Sequence, residues 1–384
     1  MPKIPKILLS AGMIQKGQSG VGRYVVELAQ RLSSFPEIDL HIVGMDADRG
    51  LFPTIDPGNW VTIPPRYASG VLNLVWHQLF LPRVIKQGSF DLLHIPSYRR
   101  IIACSPAPQV VTVHDCAPFR LRDKYGPLRG IFGRKVAPFL AKRCDKILTV
   151  SAFTKGEIVQ FYGIAEEEVE VIHNGLDHTT YKPAALDALE SFRNRKSIKG
   201  PFYLYISRLE HPGKNHLALI KAFEQLRRED AGEIQLVLGG ARWHGAEVIE
   251  AAVKCSEFRE SIHLVGFVEE ADLPLWYASA EALVFPSLFE GFGLPVAEAM
   301  ACGTNVLCSD RASLPEVGGA AAIYFSPESV DSIVAAMRKL SAEGAEAKAE
   351  RQNLVAEQAS RFDWNRVANS TCKAYLSTLK IPTI

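Results

Sequence analysis

A rhythm that runs through this chain twice constrains its fold more than any other feature. Short apolar runs at residues 6–10, 40–43, 92–95, 110–114 and 146–150 alternate with helix-length amphipathic stretches such as 22–32 and 127–143. After residue 200 the pattern restarts. Runs at 202–206, 234–238, 263–265 and 282–285 alternate with helical stretches at 216–227, 247–253 and 294–301. Parallel strands need a crossover to return to the same edge, so this alternation predicts βαβ units and parallel sheets. The polar stretch 177–200, which contains Pro183, breaks the rhythm and reads as a linker with a short helix. The chain therefore divides into an α/β domain over 1–178, a second over 179–361 and a C-terminal segment over 362–384. In doubly wound sheets, ligands bind outside the carboxyl ends of the strands. The residues that follow each run are the ones to search.

Charge and cysteine usage remove several classes of function. Lys plus Arg is 43 and Asp plus Glu is 42, a net charge of +1, so a nucleic-acid binder is not expected. The charge is uneven, +5 over residues 1–180 and −4 over 181–384. The seven cysteines form no C-x-x-C pair, which argues for reduced thiols in a cytoplasmic protein rather than a disulfide frame or zinc site. The first ten residues lack a signal-peptide pattern, and no run reaches the roughly 18 apolar residues of a membrane span.

The most informative stretch is FPSLFEGFGLPVAEAMACGTNV, residues 285–306. A buried strand ends at Phe285, and Glu290-Gly291-Phe292-Gly293-Leu294-Pro295 leads into a helix that carries Glu298. Pro295 suits a first helical turn. The glycines let backbone amides come close to a ligand, and the helix N-terminus favours a phosphate. Two carboxylates at 290 and 298 can accept hydrogen bonds from two sets of sugar hydroxyls. In the other half, Arg208 and Lys214 lie in the loop that leaves the 202–206 run. Cations at a strand's carboxyl end can clamp a diphosphate and stabilise the charge that grows on it as it departs.

The string E-G-F-G-L-P-V-A-E resembles the E-x(7)-E signature of retaining GT-B glycosyltransferases, particularly family 4. Further landmarks occur in that family's order: Gly20-Val21-Gly22-Arg23, His114-Asp115, Ser151-Ala152-Phe153-Thr154, His173-Asn174-Gly175 and Ser207-Arg208 through Lys214-Asn215. The resemblance implies two Rossmann-like domains that face each other across a cleft, with the last helix, near 364–376, crossing back to the first domain. It implies that Glu298 binds ribose and Glu290 the transferred sugar. The amides of Phe292, Gly293 and Leu294 would contact sugar and phosphate, and the 264–267 segment, ending at Phe267, would hold the base. Ser207, Arg208 and Lys214 would take the diphosphate without a metal, and Gly20 would approach it from the other domain. Here the chain has Ser19-Gly20 where the family often has Gly-Gly. His114 would stand near the reacting centre. The only literal D-x-D, Asp46 and Asp48, lies far from these elements, so no metal or other cofactor is expected.

On the acceptor side the candidates are Tyr98, Arg99 and Arg120. Nine basic and two acidic residues lie between Arg120 and Lys146, with apolar residues at helical spacing. Three readings stay open: a seat on an anionic membrane, a site for an acceptor's diphosphate, or a helix packed on the sheet with solvated lysines. The resemblance implies hexosyl transfer to a glycan or lipid-linked acceptor in surface polysaccharide synthesis, from GDP-mannose or, next, a UDP-sugar. A nucleotide-sugar 2-epimerase and a non-catalytic sugar-nucleotide binder are the alternatives.

Overall fold

A computed structural model describes residues 3–382 apart from 13, 15, 16, 18, 122–125, 230 and 231. Arg122 and Lys124 of the expected basic patch lie outside the described residues. The chain divides into two compact units, 1–175 with 364–384, and 176–363. The divisions thus fall within three residues of the expected 178/179 and 361/362. The last helix, Trp364–Thr378, packs in the first unit against helix Gly20–Leu32.

The first unit holds a parallel seven-stranded sheet. Its strands are β1 (Lys6–Ser10), β2 (Asp39–Gly44), β3 (Trp60–Thr62), β4 (Leu92–Ile95), β5 (Gln109–Val113), β6 (Lys146–Thr149) and β7 (Val169–Val171), in the order β3-β2-β1-β4-β5-β6-β7. The second unit holds a parallel six-stranded sheet of β8 (Phe202–Ile206), β9 (Gln235–Gly239), β10 (Ile262–Gly266), β11 (Ala282–Phe285), β12 (Asn305–Ser309) and β13 (Ile323–Phe325). Their order is β10-β9-β8-β11-β12-β13. The inner strands are apolar on both faces because helices cover both sides; β5, β8 and β11 are buried along nearly their whole length.

In each sheet the order reverses once, between β1 and β4 and between β8 and β11. The loops leaving adjacent strands diverge at such a point and open a crevice. The β8 exit carries Ser207 to Asn215, and the β11 exit carries Pro286 to Gly293. Topology alone therefore places the two most informative sequence motifs side by side.

Candidate active site

The β8 and β11 loops are fastened to each other and from beneath. The Leu288 amide donates to the Gly213 carbonyl at 3.1 Å. The Asn215 side-chain amide donates to the carbonyls of Pro286 at 3.2 Å and Pro327 at 2.7 Å. The buried Tyr205 hydroxyl donates to the Lys214 carbonyl at 2.7 Å. Ser313 Oγ sits 3.0 Å from the Glu290 carbonyl and 2.8 Å from that of Phe292. Gly293 has φ +103°, in the left-handed region, and a Cβ there would lie 2.6 Å from Leu314 Cδ2. Only glycine makes this entry into helix Leu294–Ala301 without strain.

This framework brings Lys214 and Glu290 together. Lys214 Nζ lies 2.5 Å from Glu290 Oε1, with the two side chains 17% and 16% exposed. A pair this sheltered is screened far less than a surface pair, yet it keeps enough exposure to exchange partners. Glu298 is buried one turn into the helix, and the Tyr277 hydroxyl donates to its Oε2 at 2.8 Å. Burial and the nearby carboxylate push the Tyr277 pKa well above the usual tyrosine value, which keeps it a proton donor to Glu298.

Arg208 is placed differently from the expected two-cation clamp. Its guanidinium lies 3.3 Å from Glu210 Oε2 and 4.8 Å from the centroid of the Trp243 ring, and about half of the side chain is exposed. Glu210 is buried and supplies a local counter-charge, so Arg208 leans toward the β9 exit while Lys214 meets Glu290. Ser207 Oγ lies 3.4 Å from His216 Nε2. Burial lowers the His216 pKa to about 3, so its ring is a neutral strut. Phe267, 59% exposed, borders a cavity of about 350 Å³ beyond β10, walled by Arg195, Lys196, Asp272 and Trp276. Asp272 pairs there with Arg195 at 3.0 Å and Lys196 at 2.7 Å.

At the first unit's switch point, Ser19 caps helix Gly20–Leu32 by accepting from the Gly22 amide at 3.0 Å. A Cβ on Gly22 would meet the Ile14 carbonyl at 2.3 Å, whereas a Cβ on Gly20 would meet nothing. Packing thus demands the second glycine and leaves room beside the first, as close approach of a ligand would require. His114 lies one residue past the end of β5, where the expected run included it as the last strand residue. Its Nε2 donates to the Pro96 carbonyl at 3.0 Å, and its ring meets the Tyr24 ring edge-on at 4.8 Å. Burial lowers its pKa to about 4, so the ring is neutral and its Nε2 proton is committed to the backbone. Behind it, the buried His94 joins Tyr375 at 2.6 Å and Thr112 at 2.8 Å, tying the last helix to β4 and β5.

Two acceptor-side expectations need correction. Tyr98 is a core residue, 6% exposed, whose burial pushes its pKa up to about 12; its neighbours leave it no surface to offer. Arg120 is spent on the buried Glu157 at 2.6 Å and on the face of Phe161. Of the three, Arg99 is exposed, with its guanidinium 5.7 Å from the centroid of the Tyr98 ring. Asp46 of the D-x-D accepts from Thr62 at 2.7 Å in the loop after β2, in the unit opposite to Lys214. Sequence reasoning missed Tyr277, Ser313, Glu210 and Trp243. Tyr277, Ser313 and Trp243 lie far in sequence from the motifs they support or read as ordinary core, whereas Glu210 lies within the 207–215 motif, two residues from Arg208.

The comparisons with known proteins fall on this geometry. Residues 18–180 match the family model described as Glycosyltransferase Family 4, and residues 188–359 match Glycosyl transferases group 1. The chain is a glycosyltransferase with a family 4 domain and a group 1 domain. It is 27% identical to O-antigen chain mannosyltransferase B of Escherichia coli over 96% of this chain and 99% of that protein. It is also 27% identical to O-antigen chain mannosyltransferase RfbU of Salmonella typhimurium, over 87% and 90%. Among solved structures, a glycosyltransferase from Rickettsia africae superposes with a TM-score of 0.77 at 17% identity, covering 98% of this chain and 99% of that one. Anabaena HepE in complex with UDP-glucose gives 0.77 at 18% identity over 97% and 99%. The fold of this glycosyltransferase is GT-B, as the motif order implied.

Proposed function

We propose that this glycosyltransferase moves mannose from GDP-mannose to a hydroxyl of a lipid-linked or oligosaccharide acceptor, with retained configuration and no metal. The observation that carries it is the Lys214–Glu290 pair, set at the switch point of the second unit and followed by the buried, tyrosine-held Glu298. The likeness to two O-antigen mannosyltransferases over most of the chain supports the choice of sugar.

The pair suggests how the site loads. Without donor, each of the two charges satisfies the other. A diphosphate arriving at the loop draws the Lys214 ammonium away, because two phosphates carry more charge than one carboxylate. Glu290 is then released to accept hydrogen bonds from sugar hydroxyls. As the C1–O bond breaks, its electron pair stays on the departing diphosphate, and Lys214 stabilises that charge more in the transition state than in the ground state. The acceptor oxygen bonds to C1 on the same face, and its proton passes to a phosphate oxygen of the leaving group. Among the described residues of the site no carboxylate is placed as a covalent nucleophile.

The test is transfer from a panel of GDP- and UDP-sugars to a polyprenyl-diphosphate oligosaccharide in the presence of EDTA. The expected product carries mannose in the donor's α configuration. Selective use of a UDP-sugar, loss of activity in EDTA, or release of free epimerised sugar in place of transfer would each refute the corresponding element.

A further inference from the structure

The loops leaving β8 and β9 continue as a short ladder past the ends of their strands. The Ser207 amide donates to the Gly239 carbonyl at 2.9 Å, Leu209 to Ala241 at 2.9 Å, Trp243 to Leu209 at 3.1 Å and His211 to His244 at 3.2 Å. Leu209 pairs with Arg242 as a parallel bridge. The two backbones come so close that a Cβ on Gly240, whose φ is +149°, would lie 1.8 Å from the Ser207 carbonyl oxygen. Only glycine fits there. Arg242 is tied in turn to Glu250 on the next helix, Ala246–Cys255. Arg208 and Glu210 flank the bridged Leu209, and alternation puts both on the other face from it. The ladder thus fixes where Trp243 stands relative to these two charges.

What gathers there is a cation with two unlike neighbours. The Arg208 guanidinium lies 4.8 Å from the centroid of the Trp243 ring and 3.3 Å from Glu210 Oε2. The two contacts constrain it differently. A guanidinium carries its N–H donors in its own plane, so a carboxylate at its edge holds one direction. An aromatic face holds the plane and leaves it free to turn and slide. Trp243 is 50% exposed and the Arg208 side chain 48%, whereas Glu210 is 2% exposed. Half the ring and half the cation therefore stay open at the carboxyl ends of β8 and β9, and the counter-charge does not. Lys214 rests on Glu290, a carboxylate with enough surface to become a ligand. Arg208 rests on one that has none to offer.

We propose that Trp243 is a positioning residue for transfer: its ring carries the Arg208 guanidinium while the cation turns its N–H edge from Glu210 to the donor's diphosphate. Stacking is kept throughout the turn, so the arginine reaches the phosphates with its plane already set and one acceptor to exchange. Glu210 stays behind as the resting partner and holds the cation at the site until the donor arrives. The inference rests on the proposed function for the identity of the anion, and it concerns residues of the second unit alone.

The experiment is a double-mutant cycle on the full chain with EDTA present, using Trp243→Leu, Arg208→Ala and the two together, with Trp243→Phe as the conservative variant. Each is read by steady-state transfer from GDP-mannose and by calorimetric titration of GDP. Trp243→Leu should lower kcat by about tenfold and weaken GDP binding several-fold. Trp243→Phe keeps a ring face and should return to within about threefold of the wild type. In the Arg208→Ala background Trp243→Leu should cost no more than about twofold, because the ring acts only through the arginine. Wild-type kinetics in Trp243→Leu, or no rescue by phenylalanine, would overturn the proposal. So would an equal loss in both backgrounds, since the indole would then act on the donor directly or serve the fold alone. Absence of transfer from every nucleotide sugar, with the cycle in GDP affinity intact, would sink the proposed function and leave the coupling of Trp243 to Arg208 standing.

Discussion

The two units share a doubly wound plan but differ in how their polar groups are held. In the second unit the polar groups are few and held: Lys214 by Glu290, Glu298 by Tyr277, and the loop carbonyls by Ser313. In the first unit the interior is tied by buried histidines, and the net charge over residues 1–180 is +5. The held arrangement of the second unit suits a small ligand whose atoms must be placed to a fraction of an ångström. The same topology allows the units to differ because the sheet fixes where loops emerge and not what they carry.

The sharpest way to break this contrast is to remove the held cation. Lys214→Ala should lower kcat/KM for transfer by about a thousandfold, the scale of losing one charge that stabilises a departing group. A change under about tenfold in steady-state assays would mean that the pair is structural. Glu290→Gln should lower transfer by about a hundredfold while the protein stays folded, because only a ligand contact is lost; wild-type rates would remove Glu290 from the site.

Acid distinguishes the units next. Burial lowers the pKa values of His77 to about 4, His94 to about 3 and His114 to about 4 in the first unit, against His216, at about 3, and His263 in the second. These rings are neutral when folded, whereas the unfolded chain takes up protons below about 6.5. The contribution of each is therefore intact above that pH and is lost as pH falls from about 6.5 toward 4, at roughly 1 kcal/mol per pH unit for each ring. The first unit, with three deeply buried rings, should open first. Hydrogen exchange read by mass spectrometry at descending pH checks this, and earlier opening of the second unit would contradict it. The smallest effect is expected from Tyr277→Phe. Glu298 keeps its place in the helix but loses one donor, so KM for the nucleotide sugar should rise by several-fold with kcat nearly constant.

The double α/β plan was legible because buried parallel strands are short continuous apolar runs. The runs 6–10, 92–95, 202–206 and 282–285 coincide with β1, β4, β8 and β11, the four strands that flank the switch points. The strands β3, β7 and β13 have three residues each and offer too little pattern to read. β12, five residues long, follows so closely on the motif helix that it reads as its continuation. The helix Gly70–Leu79 escaped notice because its period is mixed: Val71, Leu72, Val75 and Leu79 are outside, and Asn73, Trp76 and His77 are inside. In the basic stretch Leu140 and Phe132 pack in the core while Lys135 and Lys142 are exposed. Its inward positions include Gly130, Gly133, Ala137, Leu140 and Ala141, at helical spacing along one face. The donor motifs were readable because they are local. Tyr277 and Ser313 were not, since their hydrogen bonds join residues 21 to 23 positions apart through the fold.

The central claim is that Lys214 exchanges Glu290 for the donor's diphosphate. Calorimetric titration of GDP, with EDTA present, into the wild type, Lys214→Ala and Glu290→Gln tests it most directly. Removing the competitor should tighten binding several-fold in Glu290→Gln, and removing the cation should weaken it by about a hundredfold in Lys214→Ala. Equal affinities across the three proteins would show that the diphosphate binds elsewhere.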